Sequence, residues 1–182
     1  MDENQQQALL IFVRETVRNY LTGQPLPPLP ETRVEVRDFG GMFVTLKNKG
    51  QLRGCMGQFN PDTGMFETAQ KVAVSSLQDI RFQNNPITAD EMTDLDIEIS
   101  VLSPMKETDD PLSLEIGVHG IYIRKGLKGG CFLPQVATEQ KWDKEQFLSY
   151  CCSGKAGLPP NAWKEHDTKV YLFSAQIISE KH

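Results

Sequence analysis

The sequence predicts an α+β fold in which antiparallel sheets are built from hairpins, with three longer helices and room for two lobes. Three observations predict it. Most of the strand-like segments are joined in pairs by short turns, the helical periodicities fall outside those pairs, and the clearest strand shows strict alternation of apolar and polar residues. At 182 residues the chain is near the usual size of one domain and long enough to bury a sizeable core, so residues 1–182 are read as a single domain.

The first element is an amphipathic helix, because Ala8, Leu9, Phe12, Val13, Val17, Tyr20 and Leu21 recur at helical spacing. Gly23 stops it, and Pro25, Pro27, Pro28 and Pro30 impose an extended segment that could bind an SH3-like partner but is read first as a rigid arm packed on its own domain. Val34 to Arg37, Phe43 to Lys47 and Leu52 to Met56 read as strands, the last two joined at Asn48-Lys49-Gly50. This puts Cys55 near a strand end. The turn chemistry of Asn60 to Gly64 is followed by a long helix marked by Phe66, Ala69, Ala73, Leu77 and Ile80.

Thr88 and Glu91 have the spacing of a capping box, so a short helix is expected before Asp94. In the next strand Leu95, Ile97, Ile99 and Val101 share one face, and Asp96, Glu98 and Ser100 share the other. That polar face is either solvent or a site. Lys106 to Pro111 is charged and expected to be exposed. A second hairpin joins Gly120–Arg124 to Gly130–Leu133, with Pro134 ending its ladder. Asp143 and Gln146 can start a helix that Gly154 ends, and Val170 to Ile178 is a final strand.

Composition removes several function classes. Nineteen Lys and Arg against 24 Asp and Glu leave a net charge of −5, which repels polyphosphate at long range and argues against nucleic acid as a partner. Arg124, Lys125 and Lys128 crowd one hairpin, where solvated lysines are common. No stretch approaches the roughly 20 consecutive apolar residues of a membrane span. The polar, acidic start from Met1 to Gln7 is unlike a secretory signal, so a cytoplasmic location is expected. Cys55, Cys131, Cys151 and Cys152 are therefore expected as reduced thiols. With no C-x-x-C pair or H-E-x-x-H, and with His119, His166 and His182 scattered, no metal site or cofactor is expected.

Five blocks carry a resemblance: Leu52-Arg53-Gly54-Cys55-Met56-Gly57, Asp79-Ile80-Arg81-Phe82, the run from Ile97 to Pro104, His119-Gly120-Ile121, and Leu133-Pro134-Gln135-Val136. In order and spacing they resemble the AMMECR family (AmmeMemoRadiSam system protein A) over nearly the whole chain. Met56 departs from the usual isoleucine but preserves apolar volume. The resemblance implies work beside a Memo-like protein and a radical SAM protein, and hence beside redox or radical modification chemistry. Animal members have been proposed to act in transcription or translation, a role that nothing in this acidic sequence supports independently.

Cys55 is the candidate reactive residue. Gly54 and Gly57 remove bulk on either side, so a small molecule or peptide could approach the thiol in a glycine-rich cleft. Arg53, two residues away on a strand, would project to the same face, where a guanidinium favours thiolate over thiol and could hold an anionic group. The alternative is a small packed cysteine whose glycines serve a bulge. His119 is the candidate base. Glu98 and Ser100 could line the same cleft, whereas Asp79 and Arg81 read as a structural ion pair. Cys151 and Cys152 read as core or surface residues. Two hypotheses follow: a cysteine-dependent enzyme or carrier, and a non-catalytic module binding a peptide or protein. No phosphate loop, dinucleotide fingerprint or hydrolase elbow is present.

Overall fold

A computed structural model describes residues 1–30 and 39–180; the strand expected at Val34–Arg37 and His182 lie outside them. The fold is α+β. The chain forms two compact units, one of Met1–Leu102 with Gln176–His182 and one of Ser103–Ala175.

The first unit opens with helix α1 (Glu3–Thr22), whose Asp2 cap and Gln5 form a reciprocal capping box and whose end is set by Gly23 at φ +68°. Leu9, Leu10, Phe12, Val13 and Val17 form its buried stripe. The proline segment packs on this unit: Pro27 is buried, its carbonyl accepts from Gln70 Nε2 at 2.8 Å, and that of Pro25 accepts from Asn19 Nδ2 at 2.8 Å.

Strands β1 (Gly41–Asn48) and β2 (Gln51–Phe59) form a hairpin through Lys49 and Gly50, both in the left-handed region at φ +50° and +76°. On its other edge β1 pairs antiparallel with β3 (Leu95–Leu102). Met42, Val44 and Leu46 meet Leu95, Ile97, Ile99 and Val101 in the core, joined by α1 and by α2 (Met65–Leu77). Cys55 is not near a strand end, since β2 continues to Phe59 with every residue from Gly54 onward in register. Helix α2 ends at Leu77 instead of reaching Ile80, which lies in a 3-10 turn over Ile80–Phe82. The cause is local: the Asp79 carboxylate accepts the Arg81 N–H and offers the backbone an alternative to helix. Thr88 and Glu91 form the expected box, on a 3-10 helix over Ala89–Thr93.

In the second unit β5 (His119–Lys125) and β6 (Lys128–Phe132) form the second hairpin, and β5 also pairs with β7 (Lys169–Ser179). The charged segment expected to be exposed includes a strand, β4 (Lys106–Thr108), that pairs with β7; Lys169 Nζ donates to Glu107 Oε1 at 2.5 Å across it. Pro134 ends the ladder but also starts helix α3 (Pro134–Gln140) from its first turn, where a missing N–H costs nothing. Helix α4 (Lys144–Cys151) begins on the Asp143–Gln146 capping box. Its chain runs through Gly154 in a π turn and stops at Gly157, so the described residues hold four α-helices. Leu114, Ile121, Ile123, Phe147, Leu148, Cys151, Cys152, Trp163 and Val170 fill this unit's core. Among the described residues no helix is long and apolar enough to cross a membrane.

Candidate functional site

The register of the first unit's sheet brings together residues that the sequence scatters. Cys55 pairs with Thr45, which pairs with Glu98; Gly57 pairs with Phe43, which pairs with Ser100. Because strand side chains alternate, these two neighbouring rows project from the face opposite the apolar one. Four of the seven candidates, Cys55, Gly57, Glu98 and Ser100, thus share one sheet face. Ser100 is 1% exposed. Glu98 is partly buried and paired with Lys47 at 3.4 Å.

Cys55 itself is gripped along its backbone. Its N–H donates to Asp79 Oδ2 at 3.0 Å, and its carbonyl accepts from Arg81 Nη2 at 3.1 Å. The two side chains therefore treat Cys55 as a neighbouring strand would, on the edge of β2 away from β1, while Met56 N–H donates to Ser76 Oγ at 3.1 Å. Asp79 and Arg81 are themselves joined through Nε and Nη2, the shortest contact being 2.5 Å. The Arg81 guanidinium, followed by the backbone N–H groups of Cys55 and Arg81, outweighs the cost of burial and holds the Asp79 carboxyl at about 2. Cys55 is partly exposed as a residue, with Sγ at 3.3 Å from Thr45 Oγ1, within hydrogen-bonding distance for sulfur.

Arg53 has different partners from those its position suggests. The register steps from Leu52 to Gly54 opposite Lys47 and Leu46, leaving Arg53 as the extra residue of a bulge. Its guanidinium is ion-paired with Glu91 and donates to the carbonyls of Asn85 at 3.1 Å and Pro86 at 3.3 Å. The space beside the two glycines is filled by the protein. A Cβ on Gly54 would lie 2.1 Å from the Ser76 carbonyl oxygen of α2, and one on Gly57 would lie 2.3 Å from the Phe43 ring. Gly54 thus admits a helix, and Gly57 an aromatic ring.

His119 belongs to the second unit. Its Nδ1 accepts the Glu115 N–H at 3.0 Å and its own N–H donates to the Glu115 carbonyl at 2.9 Å, which closes the turn into β5. Cys151 and Cys152 are buried at 0% exposure, and burial pushes both thiols up. Cys131 is partly exposed like Cys55. Among the described residues no group of three His, Cys, Asp or Glu side chains is arranged to hold a metal ion. A cavity of about 220 Å³ in the second unit is lined by Glu107, Asp109, Trp163, His166 and Thr168, among others, and contains none of the seven candidates. The feature that sequence reasoning understated is the Asp79–Arg81 pair, which was visible as two opposite charges just past a helix end but not as a grip on a residue 24 positions away.

Comparison with known proteins returns the same chain-wide likeness. The AMMECR1 family model matches residues 10–178. A protein of Methanothermobacter thermautotrophicus is 37% identical over 188 residues, covering 99% of this chain and 96% of its own. Protein MK0488 of Methanopyrus kandleri is 39% identical, over 95% of this chain and 87% of its own. The crystal structure of the uncharacterized protein PH0010 from Pyrococcus horikoshii superposes with a TM-score of 0.89 at 36% identity, covering all of this chain and 94% of the other.

Proposed function

The chain belongs to the AMMECR1 family, and from that premise we propose that it is a cysteine-dependent enzyme or carrier with Cys55 as its nucleophile. The observation that supports this is the double grip on Cys55: a buried carboxylate and a guanidinium both bind the backbone of one residue that is itself partly exposed. Fixing the backbone fixes the origin of the side chain, which is what a reacting atom held in attack geometry requires. A neighbouring hydroxyl, Thr45 Oγ1, is within reach of the sulfur and can donate to a thiolate. Arg81, held at the Cys55 carbonyl, replaces Arg53 as the proposed cation of the site. Memo-like and radical SAM proteins are the proposed partners in the cytoplasm.

A second reading, a peptide- or protein-binding module, is favoured by the exposure of Leu52 and Met56 on β2 and of Ile80 beside it. Limiting iodoacetamide followed by peptide mass spectrometry separates the two. The enzyme-or-carrier reading expects Cys55 to be labelled first in the native protein, ahead of the partly exposed Cys131 and far ahead of the buried Cys151 and Cys152. Labelling of Cys131 first, or of Cys55 only in denaturant, would leave the binding module as the better reading.

A further inference from the structure

We infer that the molecule received at Cys55 carries an anionic head, a carboxylate or a phosphate, bound by the outer edge of the Arg81 guanidinium. This rests on the reading of Cys55 as the reacting residue and adds the chemical class of what it reacts with.

The argument starts from how Arg81 is divided. Nε and Nη2 are committed to Asp79 and to the Cys55 carbonyl, while Nη1 makes no hydrogen bond among the described residues. The pair is also asymmetric in exposure: the Asp79 side chain is 2% exposed and that of Arg81 is 49% exposed. The carboxylate therefore faces the protein and the guanidinium faces outward. A guanidinium locked at two of its three nitrogens has little rotamer freedom left to lose, which is the condition under which arginine recognises planar or tetrahedral oxyanions well. The Phe82 ring lies 5.5 Å from the Arg81 guanidinium carbon and supports it further.

Two other described cations near this stretch of sheet are ion-paired. Arg53 is ion-paired with Glu91 and spends Nη2 on two carbonyls as well, and Lys47 is paired with Glu98. Of the two guanidinium groups Arg81 is thus the one that is half exposed with an uncommitted Nη1, and it is bonded to the carbonyl of the nucleophile. Ile80, at 74% exposure, adjoins Arg81 in the chain and supplies apolar contact for whatever the anionic head is attached to.

The test compares iodoacetate, which carries a carboxylate, with iodoacetamide, its neutral counterpart, on the intact protein. Each rate at Cys55 is divided by the same reagent's rate with 2-mercaptoethanol, so intrinsic reactivity cancels. The expected result is a normalised preference for iodoacetate above one and up to about fourfold at low ionic strength, the limit set by one unit charge at roughly 5 Å in water, since the Asp79 carboxylate offsets part of the Arg81 charge. That preference should fall as salt is added and disappear in Arg81→Gln. Arg81→Lys, which keeps the charge, should retain part of it. Should Arg81→Gln fail to fold, protection of the wild-type protein decides: inorganic phosphate and succinate should slow iodoacetamide labelling saturably, and acetamide should not. A normalised ratio at or below one, a ratio unchanged in folded Arg81→Gln, or equal protection by acetamide would overturn the inference. Failure of iodoacetamide to label native Cys55 at all would overturn the underlying reading instead, so the two failures are distinct.

Discussion

Asp79 carries two roles on one carboxylate, receiving the Cys55 N–H and holding Arg81, and both are strongest when it is ionised. Its pKa is held at about 2 against an ordinary 3.8, first by the Arg81 hydrogen bond. Because the folded value lies below the unfolded one, the stabilisation is fully present above pH 3.8 and is lost as pH falls toward 2. The shift corresponds to about 2.4 kcal/mol, reduced by solvent screening because Arg81 is half exposed, so Asp79→Asn should cost about 1–2 kcal/mol at pH 7. Urea unfolding at pH 7, 4 and 2.5 should show the gap between wild type and variant closing at the lowest pH. A constant gap would mean that the carboxylate's charge contributes nothing. The ion pair was legible in the sequence, as two opposite charges two residues apart. The environment of Arg53 was not, because same-face projection assumes a regular strand, and a bulge leaves no mark in an apolar pattern.

Strand β2 shows what the two glycines are for at the level of elements. Gly54 lies under the backbone of α2, which cannot move aside without disturbing the whole helix, whereas Gly57 lies under the Phe43 side chain, which can rotate. Gly54→Ala should therefore destabilise by about 3 kcal/mol or more and Gly57→Ala by roughly 1 kcal/mol. Matched denaturant titrations check this, and equal costs would show that α2 yields as readily as a ring. Element existence was readable wherever apolar residues alternated, as in β1, β3 and β7. Element ends were not: Gly57-Gln58 interrupts the apolar signal in β2 while the backbone ladder continues. Strand β4 was missed because Lys106-Glu107-Thr108 offers no apolar face, being held by ladder bonds and by the Glu107–Lys169 pair. Helix α3 was missed because Pro134 was read as a stop when the same residue is a good start.

The α+β class was legible for the whole molecule because hairpin turns and helical periodicity occupy separate stretches of chain. The path of the chain through its two units was not, since it depends on pairings more than 70 residues apart. The first unit takes in Met1–Leu102 and then receives the chain again from Gln176. That return is held by specific contacts within the unit. Ile178 is 5% exposed in the core shared with α1 and β3. The Glu180 carboxylate pairs with Arg14 and accepts the Ile97 N–H at 3.2 Å, and Gln176 Oε1 accepts from the amino group of Met1 at 3.2 Å. Arg14 also donates to the carbonyls of Met92 and Leu95, so Glu180 neutralises a guanidinium that ties α1 to the start of β3. A chain ending at Ala175 would lose all four contacts. Burial of Ile178 is worth about 2 kcal/mol, and a half-buried Arg14 left without its carboxylate costs roughly 1–2 kcal/mol more. The loss should fall on the first unit. Hydrogen exchange should show amides of α1 and of β3 around Ile97 losing protection, while those of Phe147 to Cys151 in α4 keep theirs. Uniform loss across both units would instead show that the chain unfolds as one cooperative body, and no loss would show that the returning strand only decorates a unit complete without it.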